Sequence, residues 1–128
     1  MKKIFIALIT LMSLVAMHVG NGYCEDWKHF YNGGDSQFFY DKGNVRTPKQ
    51  TGSYYHETRL LKNNSLGSMV VGARVICTSK MITFGGFVRR YDSSNPANLL
   101  SSNPAKWDEW KKPYEPEYQA LIRNICSE

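Results

Sequence analysis

Of the three cysteines in this 128-residue chain, Cys24 closes a segment that reads as an export signal, which leaves Cys77 and Cys126 as an even pair. Lys2 and Lys3 open that segment, Ile4 to Val19 is almost wholly apolar, and Gly20 and Gly22 precede the first acidic residue, Glu25. Basic, apolar and small-residue regions in that order are what a signal peptidase recognises. The apolar run is about 16 residues, short of the roughly 20 that a helix needs to cross a bilayer. No later run is apolar enough to do so, and no transmembrane segment is expected. Asn21, Gly22 and Tyr23 before Cys24 do not form a lipidation sequence, so a lipid anchor is not expected either. Cleavage after Cys24 puts Gly22 and Cys24 at the small-residue positions and is the preferred reading; cleavage after Gly22 is the alternative. The expectation is a signal peptide over 1–24 and a single domain over 25–128.

Outside the cytoplasm, paired thiols persist as disulfides. A Cys77–Cys126 bridge would close a loop of roughly 50 residues and, through loss of unfolded-chain entropy, stabilise the fold by about 4 kcal/mol. That is a large share of the roughly 5–15 kcal/mol that holds an ordinary domain together. Hydrophobic residues at 42% and aromatic ones at 13% supply a packed core and exclude a disordered chain. The formal net charge of +5 includes Lys2 and Lys3; without them, 14 basic residues face 11 acidic ones. With no Arg or Lys cluster beyond Arg89-Arg90 and Lys111-Lys112, nucleic acid is excluded as an expected partner. Another protein, or an anionic envelope or host polymer, fits this mild basicity.

After the leader, strands come first and a helix last. Trp27, Phe30 and Tyr31 are divided from Phe38, Phe39 and Tyr40 by the hairpin sequence Asn32-Gly33-Gly34-Asp35. Val45 to Thr47 leads to Pro48, which suits a strand end. Ser53 to Leu61 alternates so that Glu57 and Arg59 share one face, and a polar turn is expected over Lys62 to Ser68. In the run from Met69 to Thr78, alternation sends Met69, Val71, Ala73, Val75 and Cys77 the same way. Met81 to Tyr91 forms the next strand; Gly85-Gly86 within it is either a bulge, the preferred reading, or the loop of a hairpin. Asp92 to Pro104 reads as an exposed loop, and Trp107 and Trp110, three apart, as one helical turn. In the last element Glu115 and Pro116 open a helix whose Tyr118, Leu121, Ile122 and Ile125 form one apolar stripe, with Cys126 at its margin. The fold class expected is therefore α+β: an antiparallel sheet of about five or six strands, with the C-terminal helix packed on it and tied by a Cys77–Cys126 disulfide.

The order of these features resembles the surface-adhesin protein E family of bacterial envelopes. It is carried by Asp26-Trp27 after the leader, Phe39-Tyr40-Asp41 followed by Val45, and the tyrosine-rich strand. Cys77 at the end of a valine-rich strand, Arg90-Tyr91-Asp92 and the closing Pro116 to Cys126 helix continue it. The resemblance covers nearly the whole mature chain. It implies a small sheet with a helix fastened across it, and an exported protein that in some members is an adhesin for host proteins. Since this chain lacks a lipidation sequence, the expected location is periplasmic, or secreted to the cell surface without a lipid anchor.

Function at this level reads as binding. His29 and His56 lack ligand spacing to other residues, Asp108 and Glu109 are adjacent and diverge, and the glycine pairs lack the lysine of a phosphate loop. No catalytic, metal or cofactor residue is assigned. Tyr54, Tyr55, Arg89 and Arg90 are the expected partner contacts, because tyrosine and arginine dominate binding surfaces. A small envelope enzyme is the alternative and requires a cleft that gathers His56, Glu57 or Asp92. A hydrolase inhibitor inserting the Asp92 to Pro104 loop is a third reading.

Overall fold

Alternation of apolar and polar side chains sets the sheet, and the computed structural model of the chain describes residues 25–50, 53–93 and 98–127. The export segment expected over 1–24, with Cys24, lies outside these residues. The strands are β1 (Trp27–Gly33), β2 (Ser36–Asp41), β3 (Lys49–Gln50), β4 (Ser53–Tyr54), β5 (His56–Asn64), β6 (Gly67–Ile76), β7 (Met81–Tyr91) and β8 (Leu99–Ala105), followed by helix α1 (Pro116–Cys126). Among the described residues, one antiparallel sheet runs in the order β1-β2-β5-β6-β7-β8, and β3 pairs with β4 as a separate short hairpin. No described helix is long and apolar enough to cross a membrane.

The register explains which face is the core. Tyr40 pairs with Leu60, Leu60 with Val71, and Val75 with Ile82. Phe38, Tyr40, Leu60, Ala73, Val75 and Ile82 therefore project to one side, where they bury against Leu121, Ile122 and Ile125 of α1. Tyr118 of the helix packs its ring 4.7 Å from that of Phe84. Burying each large aliphatic side chain of this set contributes about 1.5–3 kcal/mol. Cys77 falls in the same row as Val71 and Val75, and its sulfur is bonded to that of Cys126 across a Cα–Cα distance of 5.7 Å. The covalent tie thus joins the end of β6 to the last turn of α1, as expected from alternation.

Three expectations are corrected. The stretch from Asp92 to Pro104 is not all loop: Leu99–Ala105 is β8, paired to β7 from Tyr91↔Leu99 to Gly86↔Ala105. As an edge strand exposed to solvent it needs no apolar alternation, and Pro104 is tolerated where no further neighbour requires its missing donor. Trp107 and Trp110 do not form a helical turn. The backbone stays extended beside β7, with the Asp108 N–H donating to the Phe84 carbonyl and Lys111 exchanging both bonds with Ile82. The polar turn expected over Lys62 to Ser68 shrinks to Ser65-Leu66, because β5 and β6 pair as far as Asn64↔Gly67.

Gly85-Gly86 is an interruption inside one strand rather than a hairpin. Gly72 faces Gly85 while Val71 faces Val88, so two residues of β7 are extra at this point. The reason is close approach. A Cβ on Gly85 would stand 2.5 Å from the Lys106 carbonyl oxygen and from the Trp107 Cα, and Gly86 adopts φ +83° with Trp107 carbons 3.1 Å from where its Cβ would be. Gly85→Ala pushes backbone against backbone, which no side-chain rotation relieves. Chemical denaturation should show it less stable by about 1–3 kcal/mol; an unchanged midpoint would mean that the chain after β8 does not lie against this bulge.

Candidate functional site

The sheet face turned away from α1 carries charge. Because Leu60, Ala73 and Val75 point to the helix, alternation sends Glu57, Arg59, Gly72 and Arg74 to the other side. There they line a groove of about 580 Å³ with Arg46, Arg89, Phe87, Gly86 and Trp107. Its floor is the glycine interruption just described. The Trp107 ring lies on Gly72 and Gly86, where a Cβ would stand only 3.0 and 3.1 Å from it. The Arg74 guanidinium sits over that ring at 3.8 Å from its centroid, and 4.8 Å from the centroid of Tyr55. Such stacking holds a guanidinium in place while leaving its edge free to bond.

Two carboxylate networks organise the arginines. Glu57 takes one bond from Arg74 Nε at 3.0 Å and one from Arg46 Nη2 at 2.9 Å. Arg59 spans Asp41 Oδ2 at 2.6 Å and Glu25 Oε2 at 2.9 Å. Asp41 is fully buried, and its Oδ1 also accepts from the Asp26 N–H and from Asn44 Nδ2, both at 2.9 Å. Both carboxylate oxygens of Asp41 thus have partners, which is the condition for a buried ion pair to be tolerated. Removing Asp41 takes from Arg59 one of its two carboxylates and from the Asp26 N–H its acceptor, which costs about 1–3 kcal/mol for the buried polar group left unsatisfied. Arg89 is held differently, over the Phe87 ring at 4.6 Å.

The structure does not bring the expected contact residues together. Tyr54 is exposed on β4, but Tyr55, between the end of β4 and the start of β5, is 5% exposed and packs on Trp110 with ring centroids 6.1 Å apart. It supports the groove from within, so its expected role as a surface contact is corrected. Arg89 lines the groove, whereas its neighbour Arg90 points to the opposite face and borders a shallow hollow with Lys62 and Met69. Adjacent residues of a strand cannot share a face. Arg46, Arg59 and Arg74 were not marked from sequence, since they come from separate segments; the alternation of Glu57 with Arg59 was the one available signal.

Nor are His56, Glu57 and Asp92 gathered into a cleft. His56 Nδ1 bonds the Thr47 hydroxyl at 2.9 Å on the face opposite Glu57, and the Asp92 N–H bonds Asn98 beyond the far end of β7. His29 is exposed and bonds Asn32. Among the described residues no group of three or more His, Cys, Asp or Glu could hold a metal ion.

Glu25 offers a pH reading. Burial raises its pKa above the ordinary carboxylate value, Arg59 opposes that rise, and the nearby Asp41 charge adds to it. A carboxyl that holds its proton more tightly folded than unfolded makes stability fall as pH rises through the interval above pH 4.5, and leaves it level beyond the folded pKa. Glu25→Gln should flatten that part of the stability curve, measured by denaturation across acid pH. A slope identical to that of the unaltered protein would contradict a shifted Glu25. No family model, curated protein or solved structure matches this chain, and what the groove does is read from its own geometry.

Proposed function

We propose that the chain is an exported, non-enzymatic binding module that uses the arginine groove to hold an acidic segment of a partner protein. The observation that carries this is the charge balance: the carboxylates of Glu25, Asp41 and Glu57 pair with Arg46, Arg59 and Arg74, while Arg89 stacks on Phe87, so four positive charges face three negative ones around a groove that Trp107 lines. Guanidinium forks match carboxylates in shape and donor count, and stacking on Trp107 and Phe87 orients them before a partner arrives. Arg46 and Arg89 are the contacts at the rim, while Arg59 and Arg74 belong to the scaffold of the groove.

A binding role also agrees with the state of Glu57. Both of its oxygens are occupied by arginines, which leaves it no freedom to act as a base. The resemblance to the surface-adhesin protein E family supports export and protein binding, and a disulfide fits a periplasmic or cell-surface site. Groove and resemblance together favour a protein partner over a bare polymer.

Fluorescence anisotropy with a labelled hexaglutamate peptide tests this. Binding should weaken with salt, and Arg46→Gln with Arg89→Gln should lower affinity by about tenfold. Equal binding of a hexalysine peptide, no binding of hexaglutamate, or an unchanged affinity in the double variant would each overturn the proposal.

A further inference from the structure

On the helix side of the sheet lies a second concavity with the opposite character. Gln119, Ile122, Arg123 and Cys126 form one stripe down the flank of α1, and the stripe faces Lys80, of the turn before β7, and Lys112-Pro113 across a cavity of about 490 Å³. That volume falls within the roughly 300–1,000 Å³ of ordinary small-ligand sites. Its interior is apolar: Ile122 and Pro113, both buried, line it together with Cys126 of the disulfide. The wall is fixed on the side of the connecting segment, because Gln119 Nε2 donates to the Pro113 carbonyl at 3.1 Å.

Three cations surround this apolar hollow. In the groove on the other face, carboxylates meet three of the four arginines; here, among the described residues, Lys80, Lys112 and Arg123 make no ion pair. All three are exposed at the rim. Lys80 also holds φ +57°, the one positive φ of a described residue other than glycine. That conformation costs an ordinary side chain about 1–2 kcal/mol, and Lys80 in it lines the cavity. An apolar interior repels a hydrated polyanion, and three cations at its mouth select against a neutral or cationic guest.

We propose that this cavity binds a single-chain fatty carboxylate, with its alkyl chain against Ile122, Pro113 and the disulfide and its carboxylate among Lys80, Lys112 and Arg123. The site is independent of the groove, shares no residue with it, and would stand if the acidic-segment reading failed.

Isothermal titration of the purified, disulfide-intact protein with octanoate, 1-octanol and inorganic phosphate separates the contributions. Octanoate should bind below roughly 1 mM, with 1-octanol and phosphate each weaker by about tenfold or more. Combining Lys80→Gln, Lys112→Gln and Arg123→Gln should weaken octanoate to the level of octanol while leaving thermal unfolding and hexaglutamate binding as they were. Added salt should weaken octanoate in the unaltered protein, a readout that needs no variant. Phosphate as tight as octanoate would mean a bare anion site, octanol as tight would mean a greasy patch, and no heat with octanoate would mean no site; each overturns the proposal.

Discussion

The Cys77–Cys126 bond is the constraint on which the arrangement of this fold depends. Helix α1 has 11 residues, fewer than a helix needs to persist alone in water, and its N-terminal Glu115 makes no side-chain cap. Its position comes from Leu121, Ile122 and Ile125 against the sheet, and from the sulfur bridge that fixes its last turn to the end of β6. The bridge spans 49 positions of sequence, so it removes much of the freedom the unfolded chain would otherwise recover. With the helix fixed, one sheet face is core and the other is left to carry charge.

On that open face, rigidity has a second source. Asp41 and Glu25 hold Arg59, Glu57 holds Arg74 and Arg46, and the indole of Trp107 rests where Gly72 and Gly86 leave no side chain in its way. Each guanidinium is oriented by a carboxylate or a ring before any partner is present, and such pre-organisation lowers the entropy lost on binding. The two faces thus differ in chemistry: one carries a groove of arginines mostly paired with carboxylates, the other an apolar cavity rimmed by Lys80, Lys112 and Arg123, which make no ion pair among the described residues.

The elements whose side chains alternate against a core were legible in the sequence. Val71, Ala73, Val75 and Cys77 declared their shared face, the Tyr118 to Ile125 stripe declared the helix, and the two together placed the bridge. Strand β8 was not legible, because Ser101, Ser102, Asn103 and Pro104 lie on an exposed edge where pairing with β7 holds the strand without an apolar pattern. Trp107 and Trp110 misled through their spacing of three, which fits a helix but also fits an extended segment whose Asp108 and Lys111 amides are taken by β7. The groove was hidden for a different reason. Arg59 lies 18 positions from Asp41, and only the sheet brings such distant charges within bonding range.

The most direct measurement is peptide mapping of the unreduced protein by mass spectrometry after tryptic digestion. The account predicts a single species joining residues 75–80, which contain Cys77, to residues 124–128, which contain Cys126, and its disappearance on reduction. Recovery of both peptides separately, with each thiol free to be alkylated, would contradict it and remove the anchor that gives α1 its place.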